Sequence, residues 1–468
     1  MEIKLRFLGA AQNVTGSRHL LEVDGTKLLV DCGLYQERQF QERNWAKFAV
    51  PPESINAVFL THAHLDHCGL LPKLAQDGFR GKIYCTGATA ELARIILLDS
   101  ARIQEEDAAY KLKRHEKQGR KGPHDDKPLY TVKDAEVCFP YFSPVKYGQQ
   151  INISDSIVVT LCDAGHVLGS SMIKVDVNRN GEKRTILFTG DLGRPGRPIL
   201  PDPSIQEKAD YLVIESTYGD RVHCQTCDAK KQIADVINAT KKKGGNIVIP
   251  SFALERSQEI LFYIKELLLD ETIPHLIIFL DSPMAAKITE IFRNHQELFD
   301  EETKEMLRVH HSPFDLAELK VTTTSEESKA INYIKGTVVI IAGSGMCTGG
   351  RIKHHLANNI SRKESTIMFV GYQAVGTLGR LIVDGAKKVR LFGEEYKVKA
   401  KVVQVEGISA HADQNEMLSW LKNFKSPPRQ VFLVHGEAES AQAFGAFLRD
   451  KTGWKVSIPA YEDQVVLD

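Results

Sequence analysis

The stretch THAHLDHCG (residues 61–69) constrains this chain more than any other segment. Four side chains that can bind metals, His62, His64, Asp66 and His67, follow directly on the β-rich run INAVFL. Leaving so many polar groups buried and unpaired would be costly, whereas imidazole and carboxylate together bind zinc and similar divalent ions. Ligands so close in sequence diverge and do not close around one ion in tetrahedral geometry. We therefore predict two metals side by side.

Three other β-rich runs end in further candidate ligands. His166 lies in DAGHVLGS, Asp191 in FTGDLG and His435 in LVHGE, each next to a glycine or another residue that favours a turn. Functional groups commonly lie on loops that a rigid scaffold holds at strand ends. With the four side chains of the first stretch, these three complete two coordination spheres. The sequence thus predicts a site for two Zn²⁺ ions.

Composition bounds the class of protein. The chain has 468 residues, of which 43% are hydrophobic and 26% charged, as in a globular enzyme. Its 60 basic residues balance 60 acidic ones, so composition alone does not predict a nucleic-acid binder. No stretch reaches membrane-spanning length, and the N-terminal MEIKLRFLG predicts a strand rather than a signal peptide. We expect no membrane partner and a cytoplasmic location.

The rhythm of predicted elements changes twice along the chain. Residues 1–219 alternate β-rich runs and turns around one long helical stretch. Residues 220–396 alternate strands with helices, which predicts βα units around a parallel sheet. The earlier style returns in residues 397–468, beginning with VKAKVVQVEG. We predict an α/β fold in which one domain is inserted into another.

The cysteines predict little special chemistry. Eight of them are scattered along the chain, and we expect most to be buried free thiols. Cys224 and Cys227 form a C-x-x-C pair in HCQTC, but a zinc knuckle would require a second pair. We therefore predict two ordinary loop thiols at these positions.

The motifs resemble those of the metallo-β-lactamase superfamily, whose H-x-H-x-D-H pattern here spans residues 62–67. Within that superfamily the chain is similar to the β-CASP nucleases of RNA processing. The narrower resemblance rests on Glu215 in IESTYGDR, His411 in GISAHAD and His435 in LVHGE, and it covers essentially the whole chain. It implies a metallo-β-lactamase αββα sandwich with an inserted α/β β-CASP domain.

The resemblance also implies a role for each site residue. Asp31 in LLVDCG would orient the metal loop. His411 is the candidate general acid, and Glu215 would accept a hydrogen bond from its other ring nitrogen and raise its pKa. We accordingly expect His411, Glu215, Asp31 and Asp66 to serve catalysis. The implied ligands are His62, His64 and His166 for one zinc, Asp66, His67 and His435 for the other, and Asp191 for both.

We therefore predict a zinc-dependent ribonuclease that hydrolyses phosphodiester bonds of single-stranded RNA by a metal-bound hydroxide, in RNA processing or decay. We expect endonuclease action; the sequence leaves 5′–3′ exonuclease action, RNA sequence preference and a homodimer open. Candidate RNA contacts are Ser409, Arg256 and the glycines of GSGMCTGGR, Gly343 and Gly345. The basic run KLKRHEKQGRK, within residues 100–147, is expected to line the RNA entrance.

Three alternatives are weighed against this prediction. A thioester or lactone hydrolase of the same fold could use the same motif, but the large insertion between Glu215 and His411 would roof the metals. A DNA nuclease of the DNA-repair branch typically has an apolar residue where this chain has His435. A scaffold protein without metals would lack ligands that are all present here.

Overall fold

A computed structural model describes residues 2–179, 181–224, 227–310, 312–374 and 376–468, apart from the side chains of residues 125 and 179. Its contacts divide the chain into two units. The first unit comprises Met1–Gly196, Asp202–Val222 and His411–Asp468, and the second comprises Arg197–Pro201 and His223–Ala410. The main boundaries therefore lie at 222/223 and 410/411, where the sequence predicted 219/220 and 396/397.

The elements are numbered in chain order. The strands are β1 (Ile3–Gly9), β2 (Arg18–Val23), β3 (Thr26–Val30), β4 (Ala57–Phe59), β5 (Lys82–Cys85), β6 (Phe142–Pro144), β7 (Gln150–Ser154), β8 (Ile157–Asp163), β9 (Ser171–Arg179), β10 (Glu182–Phe188), β11 (Tyr211–Glu215), β12 (Ile247–Pro250), β13 (Ile277–Asp281), β14 (Leu319–Val321), β15 (Val338–Ala342), β16 (Thr366–Phe369), β17 (Lys388–Leu391), β18 (Glu394–Lys397), β19 (Lys401–Gln404), β20 (Gln430–Val434), β21 (Val456–Ser457) and β22 (Gln464–Leu467). The α-helices are α1 (Leu65–Cys68), α2 (Leu71–Gln76), α3 (Gly87–Lys117), α4 (Val132–Cys138), α5 (Ala229–Lys243), α6 (Arg256–Leu269), α7 (Pro283–Asn294), α8 (Glu301–His310), α9 (Ser325–Ala330), α10 (Ile352–Asn359), α11 (Leu378–Val383), α12 (Gln414–Leu421) and α13 (Ala438–Thr452). No described helix is both long and apolar enough to cross a membrane.

The first unit contains two seven-stranded sheets, in the orders β22-β1-β2-β3-β4-β5-β6 and β21-β20-β11-β10-β9-β8-β7. Alternate residues of their strands point to opposite faces, so each sheet can bury one face against the other. Phe7 and Phe59 of the first sheet share one buried core with Phe188 and Phe432 of the second. The two sheets therefore form the interior of a sandwich.

Helices cover the outer faces of this sandwich. Trp420 of α12 and Phe444 of α13 lie in one buried cluster with Leu212 and Leu433 of the second sheet. Helices α1 to α4 contact one another beside the first sheet, and α3 contacts β6. The predicted αββα sandwich is confirmed.

The second unit is built around a six-stranded parallel sheet in the order β14-β13-β15-β12-β16-β19. Its central strands β12, β15 and β16 are buried along their whole length, as expected when helices cover both faces. The predicted βα architecture of the insertion is confirmed. β19, from the run VKAKVVQVEG, pairs with β16 and so lies in this sheet, although the sequence grouped it with the returning domain. The four residues of β19 contain no local sequence feature that shows which sheet they join.

The cysteine prediction is wrong at one place. Cys224 and Cys227 form a disulfide rather than two free loop thiols. The loop brings their Cα atoms to 5.5 Å, within the range that a disulfide spans. The other six cysteines are free, and five of them are buried, as the sequence predicted.

Candidate metal centre

The candidate ligands lie at the carboxyl ends of neighbouring parallel strands. β10, β11 and β20 are parallel neighbours, and Asp191, Glu215 and His435 lie at or just beyond their ends. β3 and β4 are also parallel neighbours, and Asp31 and His62 follow them. Because parallel strands bring their carboxyl ends to one edge of a sheet, loops far apart in sequence meet here.

The loop after β4 turns tightly into the short helix α1. His64 has an extended backbone and is the N-terminal capping residue, and the N–H of His67 donates to its carbonyl oxygen at 3.0 Å. The rings of His62 and His64 have centroids 4.7 Å apart, and those of His62 and His67 are 4.0 Å apart. One turn of chain thus brings three imidazoles close together, edge-to-face or tilted rather than stacked.

The predicted ligands come together in two groups. The ligand atoms within each group lie within 4.8 Å of one another. The groups are His62, His64, His166 and Asp191, and Asp66, His67 and His435.

Asp191 faces both groups. Its Oδ2 lies 3.4 Å from His62 Nε2 and 3.5 Å from His166 Nε2. Its Oδ1 lies 3.3 Å from His67 Nε2 and 3.5 Å from His435 Nδ1. A single carboxylate therefore presents one oxygen to each group.

The arrangement fits metal ions. His62 Nε2 lies 2.9 Å from His64 Nδ1, and His67 Nε2 lies 3.0 Å from His435 Nε2. Asp191 Oδ1 is buried and makes no well-directed hydrogen bond within the described part of the chain. Ring nitrogens that face one another around a carboxylate are unfavourable unless cations lie among them. The nitrogen and oxygen donors suit zinc.

Three of the candidate ligands have pKa values that favour the protonation state in which they can bind a metal. Burial lowers the pKa of His62 well below its ordinary value, and burial also lowers the pKa of His64 to about 4. Burial raises the pKa of Asp66, but its contact with His435 and the charge of His67 outweigh burial and lower the pKa to about 2. Neutral imidazoles and an ionised carboxylate are the forms that bind a metal.

Asp31 contacts one of the candidate ligands, His67. It follows β3 in a left-handed conformation with φ of +61°, and its Oδ2 accepts a hydrogen bond from His67 Nδ1 at 2.7 Å. With that nitrogen engaged, the Nε2 of His67 faces Asp191. The Thr61 N–H donates to Asp31 Oδ1 at 2.8 Å, and the Ser17 hydroxyl donates to Oδ2 at 3.1 Å. The Asp31 carboxylate is thus itself held from two sides.

Sequence reasoning missed three hydroxyls that support the ligands. The Thr61 and Ser17 hydroxyls donate to Asp31 Oδ2 at 3.0 and 3.1 Å, and Thr217 Oγ1 lies 3.2 Å from His435 Nδ1. Thr61 directly precedes His62 and Thr217 lies two residues after Glu215, so proximity to a motif was a signal for both. Ser17 had no such signal, because only the tertiary structure brings it to the site.

Replacing Asp31 with asparagine is expected to lower zinc affinity about 10- to 100-fold, since the His67 ring loses its charged acceptor. Competition with a chromophoric chelator measures the affinity. Asp235→Asn, which changes an exposed aspartate in the second unit, is the matched control. Equal affinity in Asp31→Asn and the control would contradict this role for Asp31.

His411 and Glu215 form a pair beside the ligands. The Glu215 side chain is fully buried, and its Oε1 accepts the Leu192 N–H at 2.6 Å. His411 Nδ1 lies 3.0 Å from Glu215 Oε2 and 4.0 Å from Asp191 Oδ2. Burial lowers the pKa of His411, but the Glu215 carboxylate outweighs burial and raises the pKa to about 9. The His411 side chain is 21% exposed, whereas those of Asp66 and His435 are 17% and 4% exposed.

The predicted RNA contacts all lie in the second unit. Gly343 and Gly345 follow β15, and Ser409 is half-buried. Arg256 is buried, and its guanidinium forms an ion pair with Glu259. Phosphate binding by these residues stays a prediction.

Comparison with known proteins identifies the family to which the chain belongs. Family profiles match residues 20–191 as a metallo-beta-lactamase superfamily domain, 257–382 as a Beta-Casp domain and 395–459 as a Zn-dependent metallo-hydrolase RNA specificity domain. Ribonuclease TTHA0252 of Thermus thermophilus is 37% identical over 457 residues, which cover 98% of each chain. The chain belongs to the β-CASP family of metallo-β-lactamase-fold ribonucleases. It is a metal-dependent hydrolase.

Two further similarities have lower sequence identity. The transcription termination factor FttA of Methanocaldococcus jannaschii is 31% identical over 464 residues, which cover 96% of this chain and 69% of that protein. A crystal structure of a protein of unknown function from Enterococcus faecalis superposes with a TM-score of 0.57 at 12% identity, over the whole of both chains. At that identity the likeness concerns the fold alone.

Proposed function

We propose that this β-CASP protein hydrolyses phosphodiester bonds of single-stranded RNA. The observation that carries the proposal is Asp191, which presents one oxygen to each ligand group and lies 4.0 Å from the His411 ring nitrogen. Two-metal sites of this kind suit in-line displacement at phosphorus. The ribonuclease from Thermus thermophilus and the match to an RNA specificity domain support RNA as the substrate.

The two ligand groups would hold two Zn²⁺ ions, shared through Asp191. When bound, the ions lower the pKa of a water ligand to about 7 and stabilise charge on the phosphoryl oxygens. His62, His64 and His166 would hold one ion, Asp66, His67 and His435 the other.

His411 would supply the proton that the leaving group needs. As the water oxygen bonds to phosphorus, the bond from phosphorus to the ribose 3′ oxygen breaks, and that oxygen takes the proton. Glu215 engages His411 Nδ1, so Nε2 is left to donate. The products would carry a 5′-phosphate and a 3′-hydroxyl.

The proposal is tested with uniformly labelled single-stranded RNA in linear and circular forms, beside the same sequence as DNA. The zinc-loaded protein should cut both RNA forms, and Asp66→Ala should cut neither. Loss of the linear form alone would reassign the activity to an end-dependent exonuclease. If the protein cuts the DNA and leaves the RNA intact, the proposal is contradicted. The absence of any cleavage would also contradict it and would favour a small-molecule hydrolase.

The basic end of α3 is proposed to guide RNA to the site. Lys113, Arg114 and Lys117 are exposed on its last turns. Reversing all three charges should lower RNA affinity and reduce the slope of log affinity against log salt by about 2, since each of three phosphate contacts to a single strand contributes roughly 0.7. Fluorescence anisotropy over a salt series measures both quantities.

The control for this prediction changes net charge equally at other exposed lysines of the first unit. If the control triple variant and the α3 variant show the same affinity and salt slope, α3 has no special part in binding RNA. The control lysines are Lys146, Lys183 and Lys455.

Two further expectations concern the protein in the cell. We expect a cytoplasmic location, and fractionation of cells with an antibody to the protein would test it. A homodimer stays a prediction that analytical ultracentrifugation of the zinc-loaded protein would decide.

A further inference from the structure

A second cluster of metal-binding side chains lies in the second unit. It joins the Cys224–Cys227 pair to Glu406, which follows 179 residues after Cys227. The two sulfurs and a Glu406 carboxylate oxygen lie within 4.8 Å of one another. Cys227 Sγ is 3.0 Å from Glu406 Oε2. None of the three residues belongs to the nuclease cluster.

The backbone on both sides of the cluster is held in place. The Glu406 N–H donates to Gln232 Oε1 at 3.2 Å, and Gln232 Nε2 donates to the Glu406 carbonyl oxygen at 3.3 Å. Gly407 has φ of +89°, and a Cβ there would lie 3.1 Å from the Cys227 carbonyl oxygen. The two segments therefore approach through their main chains, and the approach does not depend on the disulfide alone.

While Cys224 and Cys227 form a disulfide, the contact between Cys227 Sγ and the Glu406 carboxylate is unfavourable. A disulfide sulfur carries no proton, so it cannot donate to Glu406, and both atoms present lone pairs. After reduction the thiols can lose their protons, and a cation placed among two thiolates and the carboxylate attracts all three. Two sulfurs and one oxygen are a donor set that zinc accepts, with the fourth position left to water.

We propose that Cys224, Cys227 and Glu406 form a thiolate site for Zn²⁺ or a similar divalent ion in the reduced protein. A thiol reductant opens the disulfide by exchange, so that both cysteines become thiols and the reductant leaves as its own disulfide. Binding of the ion then releases the two thiol protons. The pair is half-buried and Glu406 is exposed, so reductant and ion have access.

Cobalt(II) tests the site, because thiolate ligands give a sulfur-to-cobalt charge-transfer band that nitrogen and oxygen ligands do not. The protein is stripped of metal, reduced with a phosphine and titrated with Co²⁺ alone. The band should appear and reach the intensity of one thiolate site per chain by about three equivalents of Co²⁺, because the nuclease cluster would take up two. Its absence from the reduced wild-type protein would overturn the proposal.

Variants assign the band to the cluster. Cys227→Ser should abolish it, whereas Cys162→Ser, which removes the half-buried free thiol, should leave it intact. Glu406→Gln keeps both sulfurs and should weaken Co²⁺ binding about tenfold or more, as loss of a ligand charge predicts. A band that survives in Cys227→Ser, or unchanged affinity in Glu406→Gln, would overturn the site.

The test is independent of RNA cleavage. Asp66→Ala, which disables the nuclease cluster, should keep the charge-transfer band, because that cluster contains no sulfur. A band lost in Asp66→Ala would mean that the signal does not come from Cys224 and Cys227, which would overturn the proposal. Oxidation with a disulfide-forming diazo reagent should then remove the band and release about one bound ion per chain.

Discussion

Replacing Asp191 with alanine should empty both ligand groups and lower RNA cleavage roughly 1,000-fold or more, because metal stabilisation of the transition state is worth several kcal/mol. Each of its oxygens faces ring nitrogens of a different group, at 3.3 to 3.5 Å. His62→Ala should instead lose about one ion, since His62 belongs to a single group. Zinc content after desalting, measured by mass spectrometry, separates the two variants.

The control for Asp191 is Asp210→Ala. Asp210 is partly buried just before β11, at the opposite end of that strand from Glu215, and accepts the Thr185 N–H at 2.8 Å. The Asp210→Ala variant should keep both ions and full activity. Thermal unfolding of all three variants in a chelator shows whether they are folded without metal. Retention of both ions in Asp191→Ala would contradict the role of Asp191 as a ligand that the two groups share.

Replacing His411 with alanine should lower turnover about 10²- to 10⁴-fold while both ions stay bound, because general acid catalysis contributes that much. Glu215 and His411 are linked by a 3.0 Å hydrogen bond, so Glu215→Gln should also slow cleavage, but less. Single-turnover cleavage of a short RNA with a single scissile bond measures the chemical step. Loss of zinc in His411→Ala would make His411 a ligand instead.

A substrate with a sulfur leaving group separates acid catalysis from positioning. A 3′-thio leaving group departs as a thiolate and needs no proton, because its pKa is far below that of an alcohol. His411→Ala should therefore cleave the 3′-thio linkage at nearly the wild-type rate. An equal defect on the oxygen and sulfur substrates would show that His411 orients the substrate and does not protonate the leaving group.

Much of the architecture could be predicted because its signals are local. The change from β-rich runs to alternating strands and helices marked the insertion, and the parallel sheet of the second unit bears this out. The second boundary of the insertion was predicted at 396/397, whereas the structure has it at 410/411, because β19 is short and only its pairing with β16 shows which sheet it joins. The disulfide was missed for a related reason, since Cys224 and Cys227 depend on the path of their loop.

The sequence by itself determined which side chains are candidate ligands. Four of them lie within six positions after β4, and the other three stand at strand ends beside turn residues. Their chemistry does not depend on distant parts of the chain.

Only the tertiary structure decided how those side chains meet. Parallel pairing of β10, β11 and β20 brings Asp191, Glu215 and His435 to one edge, although more than 200 residues separate Glu215 from His435 in sequence. The same holds for Asp31 against His67 and for Glu406 against Cys227. Such contacts arise from strand order and loop path, which no local pattern of residues specifies.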